Sequence, residues 1–505
     1  MRTARLGKPP CAPARVASSK AGAASVARRV NFMAFLPLDY WAYCAWAEEI
    51  YQYFHPIFLR FLVKHDPFGG IRNESFALMS FRQASEKPLS RRAAMAALLA
   101  LPACAESNSG TVSFAGGIGR NPAGPDMARY ADALGHYPRA DRSNWWRPSH
   151  SVDSFSRLDE VFPSAISAAP TNAAPWRRAA VEPAISYDGT ARLGAGRFGL
   201  DGYLARNPTT GLLIAKDNEI LVERYQYGRT DRHRLTSFSM AKTVIAMMIG
   251  LAVQEGRIRS IEDTAATYVP ALSGTEYGAT PIRHLLTMSS GVAFREEYDG
   301  TDDSARLSAL TIRGQSAGGA AVPPYFNQRI AAPGQRWYYA SAETFVLALV
   351  LRQAIGRSIA DYFSEKIWRP LGAEAPAAWL VDASGLEVGY MGFNAVLRDY
   401  GRLGMMLARG GEAQGRQIIP RAWFTDMTRA HFSPSATGRY YGYGFQTWVF
   451  PEMNGSFALL GVRGQTLFVD PAKRLILVHT AVRPDARDPG GAETGALWRG
   501  VLRAA

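Results

Sequence analysis

Thr236-Ser237-Phe238-Ser239-Met240-Ala241-Lys242-Thr243-Val244-Ile245-Ala246-Met247-Met248-Ile249 is the stretch whose reading decides the fold. Residues three apart share a helix face, so at the start of a helix the Lys242 amine can touch the Ser239 hydroxyl. Such a pair makes a serine nucleophile without a histidine. From Val244 to Val253 the chain is apolar around most of its circumference, which predicts a helix buried inside a domain. Burial disfavours the ammonium form of Lys242, and the positive end of the helix dipole favours both a neutral amine and a developing anion on Ser239. The same spacing also fits an N-capping serine beside a solvated lysine, and the apolar run is what favours the catalytic reading.

Upstream of this stretch, Gly211 to Tyr225 holds two β-type runs around Asp217-Asn218, the pattern of a hairpin. Downstream, residues 239 to about 424 carry helical periodicity, for example Thr344 to Ile355 and Asp361 to Trp368. Strand patterns return at Phe457 to Gly461, Thr466 to Asp470 and Arg474 to Thr480, with Pro471-Ala472-Lys473 as a turn. Strands at both ends with helices between them predict an α+β fold. An antiparallel sheet formed by both ends of the domain carries flanking helices and a mainly helical subdomain, with a cleft between the two parts.

A second serine competes for the role of nucleophile. Gly314-Gln315-Ser316-Ala317-Gly318 fits G-x-S-x-G, with His431 and His479 following it in the chain. That motif needs a strand before it and a helix after it. Gly319 to Pro324 cannot start a helix, and alternating strand-helix units are missing, so Ser316 is set aside.

A lysine-activated serine needs a second proton carrier for the leaving group, and a tyrosine can serve. About 100 residues downstream stands Gly334-Gln335-Arg336-Trp337-Tyr338-Tyr339-Ala340-Ser341, followed by an apolar helix. Thr236 to Val244, Arg283-His284-Leu285-Leu286-Thr287-Met288-Ser289-Ser290-Gly291, Tyr339-Ala340-Ser341, Phe363 to Gly372 and Gly461-Val462-Arg463-Gly464-Gln465 stand in an order that resembles the serine β-lactamase and penicillin-binding-protein superfamily. Within it, Tyr-x-Ser and the Ala293 to Tyr298 segment are most similar to the class C-type carboxylesterases and 6-aminohexanoate-dimer hydrolases. The resemblance covers about residues 191–505 and implies a β-lactamase/transpeptidase-like fold.

It also implies roles. Ser239 is the nucleophile, Lys242 keeps the site's proton mobile, and Tyr339 is general base and then acid, held as phenolate by the lysine. Ser341 orients substrate or Lys242, the backbone N–H groups of Ser239 and Gln465 beside Gly464 form the oxyanion hole, and Tyr298 is a second tyrosine at the cleft. The implied activity is hydrolysis of a small carboxylic ester or linear amide through an acyl-enzyme, with no cofactor and no metal. Val462 stands where the superfamily carries lysine or histidine, and Arg463, on a strand, would point to the opposite face. No glutamate-bearing E-x-x-L-N stretch is present for a deacylating water. Both departures turn the expectation away from efficient β-lactam hydrolysis. The alternatives are a D,D-peptidase or penicillin-binding protein, a weak β-lactamase, or an inactive lipid-anchored binding protein. Against the last stands the joint presence of serine, lysine and tyrosine.

The net charge of +14 is concentrated: residues 1–104 hold 14 Lys and Arg against 6 Asp and Glu, and the remainder holds 43 against 37. No basic cluster interleaved with aromatics follows, so no nucleic-acid partner is expected. The three cysteines, Cys11, Cys44 and Cys104, leave none beyond position 104, which excludes cysteine-type zinc sites there and permits an oxidising compartment. Ser90-Arg91-Arg92, a short apolar run and Leu101-Pro102-Ala103-Cys104 make an export signal with a lipobox, whose Cys104 would carry a lipid anchor to the membrane. Met79 lies at the normal distance before it. The expected organisation is therefore an upstream extension over 1–78, a signal over 79–104, a linker and irregular leading arm over 105–190, and a hydrolase domain over 191–505. The expected location is exported, periplasmic or membrane-anchored. The aromatic run from Phe32 to Val63 is interrupted by Asp39, Glu48, Glu49, His55 and Arg60 and does not span a membrane.

Overall fold

The computed structural model describes residues 118–505 except 454 and 488–490. The expected extension, the signal and Cys104 lie outside the described residues. Five long strands form the body of a nine-stranded main sheet: β1 (Thr209–Lys216), β2 (Glu219–Tyr225), β3 (Phe457–Gly461), β4 (Gln465–Asp470) and β5 (Leu475–Ala481). The hairpin between β1 and β2 turns on Asp217 and Asn218, both with positive φ, the conformation that a tight two-residue turn matching strand twist requires. β1 pairs antiparallel with β2 on one side and with β5 on the other, and β5, β4 and β3 continue the meander. The two ends of the domain therefore meet at the centre of the sheet. It is not purely antiparallel, because Gly119–Arg120 and Arg177–Arg178 add short parallel pairings to the outer edge of β2.

Successive side chains of a strand point to opposite faces, and both faces are covered here. Leu213, Ala215, Ile476 and Val478 join the large core shared with the helices, while Leu212, Ile214, Leu475 and Leu477 join a second core with Leu497, Trp498 and Val501. The strands are buried nearly throughout for that reason.

Four helices matter for the site: α1 (Ala241–Gln254), α2 (Ser341–Ile355), α3 (Leu397–Ala408) and α4 (Gly491–Ala504). Every residue of α1 from Ala241 to Ala252 is buried, as the apolar circumference predicts. It packs against α2 and against the indole of Trp423, which lies so close to Gly250 that a Cβ there would collide with the ring. α3 lies on β1, β4 and β5. The helical region also contains a small four-stranded sheet, ordered Ser164–Ser167, Ala377–Leu380, Phe393–Ala395, Leu235–Thr236, that the periodicity does not announce. Its last strand leads directly into Ser239.

Residues 118–190, read from composition as part of a linker and irregular arm, are sparse in regular elements yet share the main core. Tyr130, Val152, Phe155, Leu158 and Phe162 are buried in it. Asp159 pairs with Arg234 at 2.5 Å, and the N–H of Thr236 donates to Phe155 O at 2.9 Å. Irregularly spaced aromatic anchors hold this segment, and no periodic pattern marks them. Among the described residues no helix is long and apolar enough to cross a membrane.

Candidate active site

Ser239 sits in a 3₁₀ turn, Phe238–Met240, that feeds straight into α1. Phe238 holds a left-handed φ of 42°, an uncommon conformation for a bulky residue, and its ring packs edge-on against Phe155 at 4.9 Å. Ser237 N–H donates to Phe393 O at 2.9 Å. These contacts fix the turn from both sides and leave Ser239 partly exposed between buried neighbours.

Lys242, 1% exposed, extends its amine to Ser239 Oγ at 2.9 Å and to Tyr390 O at 2.8 Å. It lies 5.1 Å from the ring centre of Tyr339 and 5.6 Å from that of Tyr390. Burial pulls its pKa down to about 8, with the Glu296 carboxylate pulling the other way. The Tyr339 ring stacks on Trp448 at 5.4 Å. Its pKa is raised, first by burial and then by Glu296, with the Ser239 hydroxyl pulling the other way. A phenolate at Tyr339, as the resemblance implies, is therefore opposed by its surroundings, whereas the neutral form of Lys242 is favoured by burial.

Glu296 is a hub that sequence reasoning passed over, although it stands in a quoted stretch. Its carboxylate is 3% exposed and accepts from Tyr298 Oη at 2.7 Å, from Ser341 Oγ at 2.7 Å and from Ser341 N–H at 2.6 Å. Of the two roles expected for Ser341, orienting substrate or Lys242, its side chain is bound to Glu296 and lines the cavity that holds Ser239. Tyr298, with φ of 61°, does reach the cleft, and burial and Glu296 raise its pKa.

The final motif differs in geometry from expectation. Val462–Gly464 is a 3₁₀ turn with Arg463 at φ 60°, so strand alternation does not apply to it. The residue that abuts the nucleophile is Gly461: a Cβ there would collide with Ser237 O and lie 3.2 Å from Ser239 N. Val462 and Arg463 line the cavity that holds Ser239, whereas Gly464 and Gln465 line a neighbouring one. The Gln465 amide closes the turn by donating to Val462 O, Arg463 O and Ala481 O, the last at 2.8 Å. The turn thus sets Val462, rather than the expected Gln465, on the lining of the Ser239 cavity. Arg463 binds the carbonyls of Arg483 and Pro484.

Ser316 stands apart from all this, donating to Leu310 O at 2.8 Å with neither strand nor helix placed around it as an elbow requires. His431 stacks on Phe445 at 4.5 Å. His479 is fully buried under the final hairpin, bonded to Gly464 O at 2.7 Å. Burial and Arg483 depress its pKa to about 3.

A model of the beta-lactamase family matches residues 200–496. The chain belongs to the beta-lactamase family. It is a hydrolase of the β-lactamase-like superfamily, with the β-lactamase/transpeptidase-like fold. A 6-aminohexanoate-dimer hydrolase from Paenarthrobacter ureafaciens is 27% identical over 392 residues, covering 74% of this chain and 96% of that protein. A solved structure of a Bacillus anthracis protein assigned as a 6-aminohexanoate-dimer hydrolase superposes with TM-score 0.64 at 23% identity, covering 72% of this chain and 97% of that one. The second likeness is one of fold.

Proposed function

We propose that this family member cleaves a small carboxylic ester or linear amide through an acyl-enzyme on Ser239. The observation that carries the reading is the 2.9 Å contact between Ser239 Oγ and a buried Lys242 whose pKa is pulled down to about 8. A neutral amine that close can take the serine proton as Oγ attacks the carbonyl carbon. The N–H groups of Ser239 and Val462 receive the oxyanion, each donor lowering the barrier by about 3 kcal/mol.

Tyr339, kept protonated by its surroundings, gives its hydroxyl proton to the leaving oxygen or nitrogen as that bond breaks. It recovers a proton from the Lys242 ammonium, which restores both groups to their starting states. In the second half a water molecule loses a proton to Lys242 and attacks the acyl carbon. The bond to Oγ then breaks and the proton returns to Ser239. No histidine takes part. The likeness to 6-aminohexanoate-dimer hydrolase supports the linear amide within this class.

The deciding assay compares the purified chain with Ser239→Ala on a nitrophenyl acyl ester, an aminohexanoate dimer and a chromogenic cephalosporin. Turnover of the first or second, abolished in the variant, is expected. Equal hydrolysis by the variant on all three would overturn the mechanism.

A further inference from the structure

The cavity beside Ser239, about 300 Å³, has a mixed lining. Its polar members include Glu296, Tyr298 and Ser341. Its apolar members include Phe238, Met391 and Val462, and two that come from the leading segment, Trp145 and Trp146.

The tryptophan wall is built to stay in place. Trp145 packs edge-on against Phe162 at 5.6 Å and against Trp146 at 6.1 Å, and its carbonyl accepts from Ser154 Oγ at 2.7 Å. Asp153 accepts from Ala140 N–H at 2.7 Å and from Arg157 Nε at 2.8 Å, tying the turn before the tryptophans to the helix after them. Trp146 nonetheless leaves 41% of its surface open. An indole held in position with an open surface at a cavity wall offers apolar contact area without an ordering cost.

The placement of Tyr339 decides which half of a substrate would meet this wall. Its hydroxyl serves the leaving group, and its ring lies against Trp448, outside the residues that line the cavity. The half that remains on Ser239 is then the half that faces the tryptophans. Among the charged residues of the lining, Arg463 is bound to backbone carbonyls and lies near Asp485, and Asp302 accepts from backbone N–H groups, so the lining offers no cation ready for a substrate carboxylate.

We infer that Trp146, backed by Trp145, is a specificity-determining residue that binds the apolar chain of an acyl group of several carbons. The inference rests on the serine-hydrolase reading given above, and names the acyl half of its substrate.

The test uses the full chain, Trp146→Ala and Trp146→Phe on nitrophenyl acetate, butyrate and octanoate. For Trp146→Ala, kcat/KM on octanoate should fall about tenfold while acetate changes less than about twofold, since only the longer chain reaches the indole. Trp146→Phe should recover most of the octanoate rate. An equal loss on all three esters would mean a structural role and would overturn the inference, as would an unchanged octanoate rate. To keep this separate from the mechanism, octanoate binding is also read by tryptophan fluorescence in Ser239→Ala, with and without Trp146→Ala. A binding signal that survives loss of Trp146 sinks the acyl wall, whereas hydrolysis that survives loss of Ser239 sinks the mechanism alone.

Discussion

Lys242 donates to the carbonyl oxygen of Tyr390 across 2.8 Å, and this bond aims its amine at Ser239. An amine with one hydrogen directed at a fixed carbonyl has its remaining positions restricted, and here one meets the nucleophile. Removing either partner of the Ser239–Lys242 pair removes a concerted unit, so Ser239→Ala and Lys242→Met should each lower kcat by about 10³-fold or more. The double variant should fall little further, and steady-state kinetics on one ester suffice to check it.

The base is active only when neutral. With the Lys242 pKa pulled down to about 8, kcat/KM should rise as pH rises through about 8 and flatten above it. Glu296 holds that pKa up, so Glu296→Gln should move the rising limb to lower pH while loosening Ser341 and Tyr298. A limb that moves to higher pH, measured over pH 6 to 10, would refute this assignment.

Gly461 is a steric requirement of the nucleophile's seat. A methyl there has no room against Ser237 O and stands 3.2 Å from Ser239 N, so Gly461→Ala should push Ser239 away from the oxyanion turn. Displacements near an ångström cost about 10²-fold in rate. The expected result is a kcat loss of that order with a folded protein by circular dichroism.

His479 makes an acid-stability prediction. Its folded pKa of about 3 lies below the ordinary 6.5, so the unfolded chain binds a proton that the folded chain refuses. The stability is fully present above pH 6.5 and is lost as pH falls toward 3, at about 1.4 kcal/mol per pH unit. Denaturant midpoints should decline over that range, and His479→Gln should flatten the decline.

What the sequence made legible follows from which constraints are local. Ser239 and Lys242 lie one helical turn apart, and the apolar run after them states burial, so their contact and the lysine's shifted pKa were readable. Tyr339 was readable by its order in the chain, but the direction of its pKa shift was not, because that depends on burial and on Glu296, remote in sequence. That Val462 lines the Ser239 cavity while Gln465 lines another was not readable, because a 3₁₀ turn with a left-handed Arg463 sets it, and turn geometry leaves little trace in a five-residue motif. Trp145 and Phe155 stayed hidden for another reason. Their partners are remote, and their own segment has no period.

β1 lies between β2 and β5, so the centre of the sheet joins residues such as Thr210 and Thr480, 270 apart in sequence. The turn carrying Val462 reaches Ser239 only after that long-range closure. Contacts of such separation form late, after the loop between them has been closed. The nucleophile's helix can assemble early from local contacts, but its reactivity waits for the last strands to dock. Hydrolysis is therefore expected to begin only once the last strands have docked, so that in refolding activity should lag the recovery of helical circular dichroism.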